Sequence, residues 1–333
     1  MQKSYLQIVA ASLITLSPFA HAVLAEQSGF KGIVGIGAMN QNQQSQFNTD
    51  SDNAITPSLT SKGKRTNDVE PYFYGAVTYT GSNLTNQTFI GFMPSDMEIE
   101  NYDFQLGWRG EFSNSTVLTL AYVPNLGLTQ KQTWADPFVT NQARQKTDEK
   151  EQAIKVQLDN IDGLPLSLKY RFGTRKLDTE NSGNSQNLLQ SQRDSLNRNA
   201  DYHHGAVEFA LPLFWKNTYI MTEVSDTLTI AKGDAMSSNE YRGRMIAGYS
   251  DKDYDFGLIG VLGHRKYDAV NPVFNQTQKD NLYNTWLFFS WKHPLDVKHV
   301  KVNTLVGYKR TNSNIEFYSA SESLMTLDVS YSF

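Results

Sequence analysis

Along most of the chain, apolar and polar residues alternate one for one. The run Tyr102-Asp103-Phe104-Gln105-Leu106-Gly107-Trp108-Arg109-Gly110-Glu111-Phe112 puts Phe, Leu and Trp on one parity and Asp, Gln, Arg and Glu on the other. Successive side chains of a strand point to opposite faces, so each such run predicts a strand with one apolar and one polar side. Fourteen strands fit the pattern, near 29–41, 69–80, 87–95, 98–112, 116–124, 153–162, 165–177, 202–212, 218–232, 240–250, 254–268, 282–292, 300–311 and 318–333. Short connections at 81–86, 113–115, 160–164, 213–217, 251–253 and 293–299 alternate with polar stretches at 42–68, 125–152, 178–201, 233–239, 269–281 and 312–317, plus one tight connection near Pro94–Met97. Short turns at one end and long loops at the other describe an all-β fold, a transmembrane antiparallel up-and-down β-barrel. Twelve strands is the alternative if the 87–112 region divides differently.

The beginning of the chain fits export. Lys3 precedes a largely apolar run from Tyr5 to Leu16, then Pro18 and the small-residue site Ala20-His21-Ala22. That is the pattern of a secretory signal, with cleavage after Ala22 or Ala25. Residues 1–25 are therefore read as signal and 26–333 as a single barrel domain. No other run approaches the roughly 18 apolar residues of a spanning helix, so only strands could cross a membrane. The absence of Cys removes disulfides and thiolate metal sites. A formal charge of -4 argues against nucleic acid as a partner.

The other end carries the clearest alternation. In Met325-Thr326-Leu327-Asp328-Val329-Ser330-Tyr331-Ser332-Phe333 every odd position is apolar or aromatic and every even one polar. This resembles the final strand of bacterial outer-membrane barrels, and the resemblance makes Tyr331 and Phe333 the signal that the barrel-assembly machinery reads. With the opening Gly29-Phe30-Lys31-Gly32, the chain resembles porin-like outer-membrane proteins and, within them, an uncharacterised family of gammaproteobacterial barrels. The resemblance implies the bacterial outer membrane, contact with its lipid, and a lumen open to small solutes. Few residues precede Gly29 after cleavage, which leaves no plug and favours passive diffusion.

The polar parity defines the expected lumen. Its basic residues are Arg109, Lys155, Lys169, Arg171, Arg175, Arg242, Arg244, Arg265, Lys301 and Lys309, against Asp103, Glu111, Asp159, Glu208, Glu223, Asp255 and Asp328. Arg109, Lys155, Lys169, Arg171, Arg242, Arg244, Arg265 and Lys301 are the pore-lining candidates. Two readings stand: a positive field that favours anions, or opposite charges paired across strands that simply hold the wall together. Ile259 and Val261 on the same parity point to a constriction, while Trp286, Phe288, Phe289 and Trp291 break alternation and stay unassigned. The long loops are too polar to fold alone and read as solvated surface; in 125–152, Trp134, Pro137 and Phe138 offer the alternative of folding inward onto the barrel wall.

Candidate chemistry changes little. His203 and His204 are adjacent in a strand, so they face opposite sides. Gly32, Gly35 and Gly37 lack the spacing and following helix of a dinucleotide fingerprint. No metal-ligand spacing, phosphate loop or hydrolase elbow occurs, and neither a cofactor nor an enzyme is expected. The expected function is a channel for passive diffusion of small hydrophilic, including anionic, solutes; the alternative is a non-conducting barrel whose loops bind a partner or surface. Oligomeric state is left open.

Overall fold

The computed structural model describes residues 24–94, 97, 102–126, 131–213 and 215–333. The signal segment and its cleavage after Ala22 lie outside these, as do residues 98–101 of the fourth expected strand. Fifteen strand segments form one antiparallel sheet: β1 (Gly29–Gln44), β2 (Arg65–Thr80), β3 (Asn86–Pro94), β4 (Tyr102–Glu111), β5 (Val117–Val123), β6 (Lys131–Trp134), β7 (Lys146–Asp159), β8 (Leu166–Leu177), β9 (Ala200–Pro212), β10 (Thr218–Ala231), β11 (Ser238–Ser250), β12 (Tyr254–Asn271), β13 (Gln276–Lys292), β14 (Val300–Ser313) and β15 (Ala320–Ser332). β5 pairs with Ala153–Asp159 of β7 and β6 with Lys146–Glu149, so these two segments share one place in the wall. The barrel is thus fourteen-stranded and closed.

Closure runs between β1 and β15. Gly32 and Phe333 exchange both backbone hydrogen bonds, at 2.8 and 2.9 Å. The Phe333 ring then lies over Gly32 on the outer surface, where a Cβ on residue 32 would collide with it. Outside, the odd residues of β15 from Met325 to Tyr331 are exposed, as are Phe30, Val34 and Ile36 on β1 and Phe256, Leu258 and Leu262 on β12. An apolar surface continuing around a whole cylinder has no stable place in water. A closed sheet satisfies its backbone in lipid without water, and the belt makes the protein an outer-membrane barrel.

The inner face is built on pairs of glycine and aromatic residues. Tyr74 stands opposite Gly35, Tyr72 opposite Gly37, Tyr202 opposite Gly173, Tyr219 opposite Gly248, Phe288 opposite Gly257 and Trp286 opposite Gly307. Each ring occupies the space that a Cβ on the facing glycine would need. Rings laid over bare backbone restore the packing that glycine forfeits. The unassigned aromatics of β13 resolve the same way: Trp286 and Phe288 face in, Phe289 and Trp291 out.

Strands extend further outward than alternation indicated. β12 and β13 continue to Asn271 and from Gln276, across most of what reads as a 269–281 loop, with a bulge between Lys266 and Val270. Above the belt both faces meet water, so no apolar parity marks the strand there.

The loops depart most from expectation. They pack on one another, and Trp134 and Phe138 are fully buried. Phe47, Phe138, Phe274, Phe317 and Tyr318, from four separate loops, form one aromatic cluster with ring centroids 5.2 to 6.0 Å apart. Trp134 and Arg144 both donate to the Gln46 carbonyl, at 2.9 and 2.8 Å, and the guanidinium lies 4.5 Å from the Trp134 ring. Burial pushes Arg144 down to about 10, still charged at neutral pH. Asp136 accepts from the amides of Phe138, Gly183 and Ser185, while Arg198 ties Glu180 to the Trp134 carbonyl. Judged singly each loop is too polar to fold, but their few apolar residues pool into one cap.

Two outcomes test this. Gly32→Val should lower the fraction of barrel that migrates as folded on unboiled gels, as deletion of Phe333 should, whereas Ser332→Ala, on the inner side, should not; equal effects would contradict the outward packing of Phe333. Arg144→Ala should leave the barrel folded but make the 135–145 loop cleavable by protease added to intact cells, since about 1–3 kcal/mol attaches to each buried partner left unpaired.

Candidate functional site

All eight sequence candidates stand on the inward parity, and the strands bring them into separate groups. The first joins four adjacent strands. Glu208 of β9 and Glu223 of β10 are directly opposite each other, an arrangement that alone would repel. Lys169 of β8 and Arg244 of β11 flank them: Lys169 reaches Glu208 at 2.8 Å and Glu223 at 3.0 Å, and Arg244 reaches them at 3.2 and 2.6 Å. Two cations and two carboxylates, all largely buried, neutralise one another.

Arg171 centres the second group. Its guanidinium meets Asp103 of β4 at 2.5 Å and Glu151 of β7 at 2.8 Å, and its Nε donates to the Tyr202 hydroxyl at 2.8 Å. Tyr202 in turn donates to Glu151. In the third group Glu240 lies between Arg242 and Arg265, and Arg242 also donates to the Met97 carbonyl at 2.9 Å. Lys155 donates to Gln105, and Arg109 covers the Phe89 ring at 4.6 Å. Lys301 makes no ion pair among the described residues.

Of Lys155, Lys169 and Arg171, Lys155 stands directly opposite Arg171 on the neighbouring strand. Lys169 and Arg171 belong to different networks. The mild positive excess also disappears, because Glu240 and Glu322, inside expected strands, and Glu149, Glu151 and Asp280, on strand extensions beyond them, also face in. Alternation continued through those residues would have found them. His203 faces out, bonded to the Tyr170 hydroxyl at 2.7 Å, and His204 faces in against Thr227 at 2.8 Å.

The lumen divides in two. Along one wall of its inner half, Tyr72, Tyr74, Tyr219, Met221, Ile246, Ile259, Trp286, Phe288 and Leu305 form a buried apolar cluster. Asp328 is set into it and accepts from Tyr72, Tyr74 and Asn303 at 2.9, 2.9 and 2.7 Å. The constriction expected from Ile259 and Val261 is thus part of a larger packed wall. In the outer half lies a cavity of about 740 Å³, roofed by Phe47, Asn48 and Met236 of the cap region. Its walls hold Lys131, Arg171, Arg175, Arg242, Arg265, Lys309 and Arg310 against Asp103, Glu149, Glu151, Glu240 and Glu322. Arg175 is the one of these arginines on β8–β12 with no ion pair among the described residues.

A family model described as protein of unknown function (DUF2860) matches residues 29–332. The chain belongs to this family. No curated protein matches it. Among solved structures, this DUF2860 member is similar to OccAB4 of Acinetobacter baumannii at 8% identity over 92% of this chain and 99% of that one, TM-score 0.39. It is similar to the outer membrane protein opdK of Pseudomonas aeruginosa at 8% identity over 91% and 99%, TM-score 0.39. The TodX deltaS2S3 mutant monoaromatic hydrocarbon channel is similar at 7% identity over 93% and 91%, TM-score 0.47. All three scores are below 0.5, and the barrel assignment rests on this chain's own strand pairing.

Lys169→Gln should be costly, because Glu208 and Glu223 would then share one cation inside the wall. About 3 kcal/mol of stability should be lost, read as a lower urea midpoint for unfolding. Adding Glu223→Gln should recover part of it. A single variant as stable as the parent would show that solvent, not Lys169, neutralises the pair.

Proposed function

We propose that the barrel is a narrow outer-membrane channel for passive passage of small hydrophilic solutes. The observation that carries this reading is the outer cavity: a polar chamber about the size of a small metabolite, lined by charges from strands all around the wall. The apolar cluster below it leaves less room, so conductance should be small. Selectivity in this reading lies in the cavity and not in the buried networks. Charges already held in ion pairs present little net field; Arg175 makes no ion pair among the described residues, and Glu151, directly opposite it on β7, is already engaged by Arg171 and Tyr202, so Arg175 supplies the positive surplus. Anions are therefore the favoured solutes. A catalytic reading finds no footing in His203 and His204, which face opposite sides.

The packed cap supports a second reading, a non-conducting barrel that displays a fixed surface to a partner. Planar-bilayer recording of the purified protein separates the two. The channel reading expects small unitary conductance with a mild anion preference that weakens as salt rises, and Arg175→Gln should shift the reversal potential toward zero at unchanged yield of folded protein. Absence of conductance would favour the display reading. Conductance with an unmoved reversal potential in Arg175→Gln would place selection elsewhere.

A further inference from the structure

On the outer surface of the wall, two pairs of lysines face each other among the described residues. Lys150 of β7 is directly opposite Lys176 of β8, and Lys266 of β12 is directly opposite Lys279 of β13. Each pair stands two outward positions above the belt, past Gln152 and Thr174 in one case and past His264 and Asn281 in the other. Like charges facing each other across strands repel. At the first pair the repulsion is relieved, because Asp178 forms an ion pair with Lys150. At the second, neither lysine has an ion pair among the described residues, and Asp268, further along the same face of β12, pairs with neither.

The backbone makes this second contact close. Lys279 donates its N–H to the Asn314 side chain at 2.7 Å, and its carbonyl accepts from the Asn314 amide at 3.1 Å, so both groups point toward β14. Its pairing with Lys266 is therefore the kind without backbone hydrogen bonds, in which facing side chains approach most closely. Just below, His264 Nδ1 lies 2.9 Å from Asn281 Oδ1. Arg310 of β14, which also borders the outer cavity, stands opposite Tyr283 on this outer face and donates to Asn312 at 2.6 Å. It too makes no ion pair among the described residues. Three adjacent strands thus gather three unneutralised cations in a chain whose formal charge is -4.

Depth decides what neutralises them. Leu262, Tyr283 and Tyr308 are exposed belt residues on the same three strands, and the lysines stand about 10 Å above Leu262 and Tyr283 for strands of ordinary rise and tilt. Lipid head groups occupy the next layer out from the hydrocarbon, and lysine stems reach down along an apolar wall to meet them. A phosphate held there accepts charge-assisted hydrogen bonds from both ammonium groups and removes their repulsion.

We propose that the outer face of β12–β14 binds a phosphate-bearing glycolipid of the outer leaflet, with Lys266 and Lys279 clamping the phosphate and Leu262, Tyr283 and Tyr308 lying against the acyl chains. The site is on the lipid side of the wall and makes no use of the lumen, so it and the channel reading fail separately. Native mass spectrometry of the full barrel in detergent, titrated with diphosphorylated lipid A, tests it. Lys266→Gln combined with Lys279→Gln should weaken lipid retention roughly tenfold or more, whereas Lys150→Gln combined with Lys176→Gln, the same change of charge at the other pair, should alter it less than about twofold. Lys266→Gln alone should give an intermediate loss. Lys266 and Lys279 are exposed, and the difference in gel migration between unheated and boiled protein should be kept in every variant. The parent should also prefer diphosphorylated lipid A to the same lipid stripped of phosphate. Equal losses in the two double variants would show diffuse attraction and overturn the site, as would full retention after the change of Lys266 and Lys279 or equal binding of the phosphate-free lipid. Displacement of the lipid by an equimolar amount of inorganic phosphate would assign the lysines to a free anion and overturn the lipid.

Discussion

The bilayer interior offers no water to a peptide group, and every other feature of this molecule answers to that fact. A strand in lipid must give its backbone groups to neighbours on both sides, so the sheet closes, and the bonds between Gly32 and Phe333 are where its two ends meet. Closure fixes which residues of β1 face β15 and which face β2. From there register propagates around the wall and decides which side chain enters the lumen. The inward set of charges is thus a consequence of backbone bonding as much as of side-chain chemistry.

Inside, two devices fill a cylinder wider than its side chains can span by themselves. Aromatic rings fold down over glycines on the next strand, which thickens the wall without blocking it from the centre. Ionic groups spread over three or four strands tie those strands at a fixed spacing. Glu208 opposite Glu223 would separate β9 from β10 unless Lys169 and Arg244 were beside them. Such pairing rigidifies the lower wall and leaves the outer cavity as the place where unpaired charge and space coincide.

Strand number, inward parity and the closing residues were legible because the belt forces apolar residues onto one parity. Where that force stops, legibility stops with it. The tops of β12 and β13 have water on both sides, so no apolar parity marked Asp280, and only alternation carried past the belt turns it inward. The networks could not be foreseen, since register alone shows that Lys169 meets Glu208 and Glu223 but not Arg171's partners. Solvated loops were the natural reading of Asn- and Gln-rich stretches judged one at a time; no local pattern shows that Phe47, Phe138, Phe274 and Phe317 will meet.

The shared cap also ties the loops together as objects of selection. Phe317 contacts rings from three other loops, so a change in any one is felt by all. Surface loops that sit apart can drift singly to escape an antibody or a phage. These cannot: their exposed tips are free to vary, but the buried residues beneath must change in concert or not at all, and a binder that reads the cap's overall shape would meet a surface slow to disguise itself.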